Sequence, residues 1–191
     1  IEGLIKPRRV TAGNPYHKGA GPGGGQFASK PGGVEARIMT GFNALSPQQK
    51  LNPNLYGSVV YGMLKGESGK LLSKMEKHPG EAEHRAYVWQ NEHTGELVVK
   101  RQVGTEWGKV GREAEPTGFR LVGDIHTHPK SGTTKPSERD LFTVNNISRS
   151  GGVYMIAGYE SGKRKVRYWH VEKGADMETK GDYYRHGGTF I

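Results

Sequence analysis

An apolar run that stops on a proline constrains this chain more than any other feature. Leu121-Val122-Gly123-Asp124-Ile125 reads as a buried strand and leads into His126-Thr127-His128-Pro129. Pro129 has no amide proton to give a sheet ladder, so the strand ends there. The loop Lys130-Ser131-Gly132-Thr133-Thr134-Lys135-Pro136 has the composition of a flexible return, and Ser137 to about Arg149 continues as a helix. Strand, loop and helix are thereby laid down in that order.

The spacing of polar residues on this unit carries chemistry. Side chains two apart on a strand share a face, so His126 and His128 can reach one ion. Ser137 and Asp140, three apart at the head of the helix, also share a face, which brings a hydroxyl and a carboxylate back toward the imidazoles. Two neutral imidazoles and one carboxylate, with a fourth position left to water, form the ligand set of a catalytic zinc site. Each piece also has a plainer reading. A His-x-His pair is often a polar strand edge, and Ser137-x-x-Asp140 after a proline has the form of a capping box. Asp124 lies on the histidines' face by parity and reads as structural, with a supporting partner or rival ligand as the alternatives.

His-Thr-His-Pro, seven residues, then Ser-x-x-Asp resembles the signature of the JAMM (JAB/MPN) zinc metalloproteases, a family that includes deubiquitinating isopeptidases and bacterial and phage relatives. The resemblance spans about residues 55 to 172. It implies His126, His128 and Asp140 as ligands of Zn2+, with Ser137 donating a hydrogen bond to the oxyanion of the reaction. It further implies a glutamate on an upstream strand as general base. Glu83 suits the family's order of glutamate, strand, hairpin and histidine strand. Glu81 is the nearest rival; Glu92, Glu96 and Glu106 fall in or beyond the hairpin, and Glu113 and Glu115 lie in the polar approach to Pro116. The implied activity is hydrolysis of a peptide or isopeptide bond, ubiquitin-like conjugates included, in a protein or peptide substrate.

The flanking sequence supplies the rest of an α/β domain. Ser46-Pro47-Gln48-Gln49 is a helix start that Asn52-Pro53 cuts short, and a second helix is expected from about Leu55, broken at Gly66 and resuming through Met75. Glu83 to Trp89, a turn at Thr94-Gly95 and Leu97 to about Val103 form a hairpin. The segment Gly104 to Gly118 reads as a long insert. After the site helix, Val153 to Tyr159 and Lys165 to Val171 pair across Ser161-Gly162. The expected fold is a JAB/MPN-like α/β sandwich, with a mixed or antiparallel sheet flanked by helices.

Composition bounds what remains. The 191 residues are 33% hydrophobic with mean hydropathy -0.73, enough for one modest domain plus a part that does not pack. Residues 19 to 33 hold seven glycines and two prolines, so residues 1 to 45 read as a flexible Gly-rich arm or linker and 46 to 191 as the hydrolase domain. Asn14-Pro15-Tyr16-His17 and Gly25-Gln26-Phe27-Ala28-Ser29 resemble tails of phage head proteins, which suggests a module of a phage or toxin polypeptide; a generic linker is the alternative. No segment approaches the roughly 18 apolar residues of a membrane span, so a soluble chain is expected, cytoplasmic or delivered. There is no cysteine, which excludes disulfides and thiolate ligands. The net charge of +9 leaves a second function open, a basic nucleic-acid-associated or virion-assembly protein with a structural metal site, although no nucleic-acid motif accompanies the charge. Deleting residues 1–33 is expected to leave the melting temperature and zinc content nearly unchanged; unfolding of the shortened chain, seen by calorimetry, would make the arm a packed element.

Overall fold

Three helices open the domain, and local capping chemistry starts two of them. The computed structural model describes residues 34–78, 82–107, 114–130, 133–175 and 189–190. Helix α2 (Pro47–Lys50) begins with a reciprocal cap: the Ser46 hydroxyl accepts from the Gln49 amide at 3.3 Å, and the Gln49 side chain accepts from the Ser46 amide at 2.9 Å. Asn52 then caps α3 (Pro53–Lys77) by accepting from the Asn54 amide at 3.0 Å. The proline that ends one helix is thus the first residue of the next.

Two expectations change here. Helix α3 does not break at Gly66 but runs unbroken for 25 residues. A glycine inside a helix costs roughly 1 kcal/mol. Burial of Leu64, Leu71, Leu72 and Met75 around it, at about 1.5–3 kcal/mol for each side chain, outweighs that cost. Helix α1 (Val34–Asn43) lies within the residues assigned to the arm. Its Phe42 is buried, and Ile38 and Met39 pack against the same core, so the glycine-rich composition stops at Gly33 and a helical apolar stripe follows at once. Residues 1–33 lie outside the described residues.

The sheet has the order β2-β1-β3-β4-β5-β6, formed by β1 (Ala82–Asn91), β2 (Leu97–Trp107), β3 (Phe119–Thr127), β4 (Gly152–Glu160), β5 (Lys163–Val171) and β6 (Thr189–Phe190). Strand β2 extends to Trp107, into the segment read as an insert. β3 and β4 are parallel and every other pair is antiparallel, because α4 (Glu138–Ser148) carries the chain back across the sheet between them. The fold is therefore α/β with a mixed sheet between helices. No described helix is long and apolar enough to cross a membrane.

Alternation along the strands gives each helix its own face. Ala86, Val88, Ile125, Val153 and Met155 pack with α3, while Tyr87, Trp89, Tyr154, Ile156 and Trp169 pack with Val144 and Ile147 of α4. The close seat of α3 on the central strand depends on Gly123, where a Cβ would stand 2.5 Å from Val60 Cγ1. Tyr56, buried on α3, donates its hydroxyl to the Ser150 and Gly151 carbonyls at 2.7 and 2.9 Å, tying α3 to the turn that follows α4. Burial pushes its phenol up to about 12, with Arg120 pulling the other way.

Glu67 is the acidic residue that α3 buries, and Arg101 of β2 holds it through two hydrogen bonds, at 2.5 Å from Nε and 2.8 Å from the guanidinium end. The Arg101 bond holds the Glu67 carboxyl below its ordinary range; burial opposes this and Lys70 assists. A depressed carboxyl adds stability above its unfolded value near 4.5, and that stability is lost as pH falls through the folded value. Arg101 is half in solvent, so screening limits the effect to about 1 kcal/mol. Glu67→Gln is expected to lower the melting temperature at pH 7 and to match the wild type near pH 3; a gap that stays constant across that range would contradict the assignment.

Candidate metal centre

The histidine strand sits in the middle of the sheet, where backbone pairing places its side chains before any metal chemistry is considered. β1 and β3 pair so that Arg85 stands opposite His126 and Tyr87 opposite Asp124. The two-residue side-chain period therefore puts Glu83, Arg85, Asp124, His126 and His128 on the face that α4 covers. Register shifts fall opposite the Ala82–His84 stretch, where β2 carries the extra residues, and opposite Val88–Trp89, where β3 does. Irregularities of this kind re-aim side chains beside functional sites. His128 lies one residue past β3, with its amide donating to the Ala157 carbonyl at 2.9 Å as a last rung of the parallel ladder.

Each imidazole has its Nδ1 committed to an oxygen and its Nε2 turned into the cluster. His128 Nδ1 lies 2.5 Å from the Thr133 carbonyl, which can only accept, so Nδ1 carries the proton and Nε2 a bare lone pair. His126 Nδ1 lies 3.3 Å from Asp124 Oδ1, and a carboxylate imposes the same tautomer. The two Nε2 atoms then face each other at 3.1 Å, with Asp140 Oδ1 3.3 Å from that of His126. Two lone pairs and a carboxylate oxygen at such range repel unless a cation or a proton lies among them. A tetrahedral ion with ligands roughly 2.0–2.1 Å away sets neighbouring ligand atoms about 3.3 Å apart, close to what is found. His126, His128 and Asp140, whose ligand atoms all lie within 4.8 Å of one another, could thus hold a metal ion.

Asp140 reconciles the capping reading with the metal reading. Its Oδ2 accepts from the Ser137 amide at 2.5 Å and from the Ser137 hydroxyl at 2.8 Å at the start of α4, which leaves Oδ1 for His126. One carboxylate serves the helix with one oxygen and the centre with the other. The only proton of the Ser137 hydroxyl is committed to Asp140 in this arrangement.

Charge inside the centre is finely set. Burial pushes the Asp140 carboxyl up, but His126 and the Ser137 amide pull it below its ordinary value. Burial lowers His126, and Asp140, assisted by Asp124, reverses this to a net rise. Burial and the neighbouring His126 lower His128 to about 4, so it is neutral at pH 7. Glu83, half-buried, is raised by burial, with His126 pulling down and Asp140 pushing up. Of its rivals, Glu92, Glu96 and Glu115 are exposed, Glu106 lies on β2, and Glu81 and Glu113 lie outside the described residues.

Arg85 is the residue that sequence reasoning missed. It is buried, its Nε lies 3.1 Å from Asp124 Oδ2, and a guanidinium nitrogen approaches His126 Nδ1 at 3.4 Å. Burial opposes its charge, and Asp124 more than compensates. The available signal was parity: Arg85 follows Glu83 by two on one strand, so the two share a face. Asp124 itself turns toward His126 and Arg85 and is absent from the three-residue cluster that could hold an ion.

No family model matches the chain, and no curated protein matches it. Among solved structures, a JAB1/MPN domain protein from Archaeoglobus fulgidus is similar to it, with 20% identity over 56% of this chain and 88% of that one and a TM-score of 0.29. A superposition this loose leaves the centre to be judged on its own geometry.

Metal-free protein titrated with Zn2+ or Co2+ is expected to take up about one ion and to melt at higher temperature, because the ion binds only the folded state. His126→Ala and Asp140→Ala should abolish uptake, and Asp124→Asn should weaken it roughly 10- to 100-fold. Stoichiometric uptake by both ligand variants, measured by elemental analysis, would remove the centre.

Proposed function

We propose that the chain is a zinc-dependent metallopeptidase of the JAMM type, hydrolysing an amide bond, peptide or isopeptide, in a protein substrate. One observation carries the reading: two imidazole Nε2 atoms 3.1 Å apart and a carboxylate oxygen 3.3 Å from one of them lie together within 4.8 Å, with half-buried Glu83 on the same face of the sheet. The absence of cysteine leaves nitrogen and oxygen donors, and three protein ligands with an open fourth position are the donor set of catalytic zinc. When bound, zinc would lower the pKa of water to roughly 7 and polarise the scissile carbonyl.

The chain's own residues supply the remaining chemistry. Glu83 takes a proton from the attacking water and returns it to the leaving amine, a task that suits a carboxyl raised by burial. Ser137, by turning its hydroxyl away from Asp140 Oδ2, donates to the oxygen that gains charge at the carbonyl. Asp124, itself held by Arg85, keeps His126 in the tautomer that presents Nε2. A cleft of about 260 Å³, lined in part by Tyr87, Trp89, Leu121 and Phe142, lies along α4 on its C-terminal side of Asp140. It suits an apolar side chain of an extended peptide, and Phe142 stands 53% exposed at it with surface to contribute.

The test is a panel of ubiquitin-like isopeptide and peptide substrates, assayed with and without zinc beside metal content for every variant. Glu83→Gln is expected to keep fold and metal and to lose about 10² to 10⁴ in rate, because proton transfer is removed while shape is preserved. Ser137→Ala should lose roughly 10² with metal retained. Full activity in Glu83→Gln would move the base elsewhere. Activity surviving in both His126→Ala and Asp140→Ala would overturn the zinc mechanism itself.

A further inference from the structure

We propose that Glu160, outside the His-x-His and Ser-x-x-Asp pattern, is a positioning residue that fixes the tautomer and aim of His128; the inference rests on the metal-centre reading above. The need for such a residue follows from where His128 sits. Its last ladder bond, from its amide to Ala157, holds the backbone but leaves the ring free to rotate. What selects Nε2 as the exposed nitrogen is the Thr133 carbonyl at 2.5 Å from Nδ1. Thr133 belongs to a loop, so its carbonyl can do this only if the loop is itself pinned.

Glu160 does the pinning. Thr134, the next residue, is completely buried, and both its amide and its hydroxyl donate to Glu160 Oε1, at 3.1 and 2.6 Å. Glu160 ends β4, and by alternation it shares the site's face with Gly158 and Ile156. Gly158 supplies the seat: a Cβ there would lie 3.4 Å from Thr134 Cγ2 and 3.5 Å from His128 Cβ, so loop and histidine both pack on bare β4 backbone. Arg167, on the neighbouring strand, approaches Glu160 at 4.0 Å and offsets its charge. The order of influence is Glu160, Thr134, the Thr133 carbonyl, His128 Nδ1 and, through the ring, Nε2. His126 has an independent support in Asp124, so the two imidazoles are held by different elements, a strand and a loop.

Glu160→Ala, Glu160→Gln and Thr134→Val separate this role from general stability. Long-range proton–nitrogen NMR correlations of the metal-free protein at pH 7 report the tautomer of each histidine. Chelator competition reports zinc affinity. The wild type and Glu160→Gln, which keeps the acceptor, are expected to show His128 protonated at Nδ1. Glu160→Ala should show a mixture at His128 with His126 unchanged, and zinc should bind 10- to 100-fold more weakly while the metal-free melting temperature barely moves. An unmoved His128 tautomer with unmoved affinity overturns the proposal. Thr134→Val keeps the packing over Gly158 and loses one donor, so it should move both readouts less far in the same direction; if Glu160→Ala does not fold, an unmoved tautomer in Thr134→Val overturns it equally. A tautomer shift in a protein that takes up no zinc at all would sustain the positioning role and defeat the metal reading alone.

Discussion

A carboxylate with no solvent exposure, in the central strand of the sheet, is the constraint on which the rest of this structure depends. Asp124 has to find partners or lose its charge, since an unpaired buried ion costs several kcal/mol. It finds Arg85 on one side and His126 on the other. Meeting both requires β1 and β3 to pair in one register, with Arg85 opposite His126, and a slip by one residue would turn every one of these groups to the other face. The same contact sets which nitrogen His126 presents. Pairing, charge balance and donor geometry therefore share a single cause.

The sheet divides its labour between faces. Against α3 it is apolar, and the close approach at Gly123 leaves little room beside the central strand. Against α4 it changes character along the strands: Trp89, Leu121, Tyr154 and Trp169 make a second core, and beyond them come Arg85, His126, Asp140 and Glu83. The polar centre is thus built where the strands run out, with apolar packing beneath it. That foundation holds His126, which is buried, in place, while His128 at the edge of the centre depends on its contact with the Thr133 carbonyl. The supporting contacts are of two kinds. Asp124 holds His126 from within the strand, whereas the Thr133 carbonyl holds His128 from a loop anchored on β4.

Local chemistry made much of this legible in the sequence. Pro129 marked a strand end, alternation put two histidines on one face, and a spacing of three put Ser137 and Asp140 on one helical turn. The cap at Ser46 was legible for the same reason, since its partners stand three residues apart. Properties of this sort depend on neighbours within one turn or one strand, and residue order specifies those directly. Helix α3 was misjudged at Gly66 because its continuity is decided by side chains buried against a sheet, and local propensity does not record them. Helix α1 was given to the arm because the glycines before it dominated the composition there.

What the sequence by itself determined is therefore the strand, the turn of helix and the identity of the donors they carry. Tertiary structure decided the parallel pairing of β3 with β4, the union of Arg85 with Asp124, the division of Asp140 between cap and centre, and the reach of Glu160 to the loop beside His128. Each of these joins residues on different elements. Their partnerships exist only once burial has removed water as the competing partner and left one arrangement in which every charge is answered.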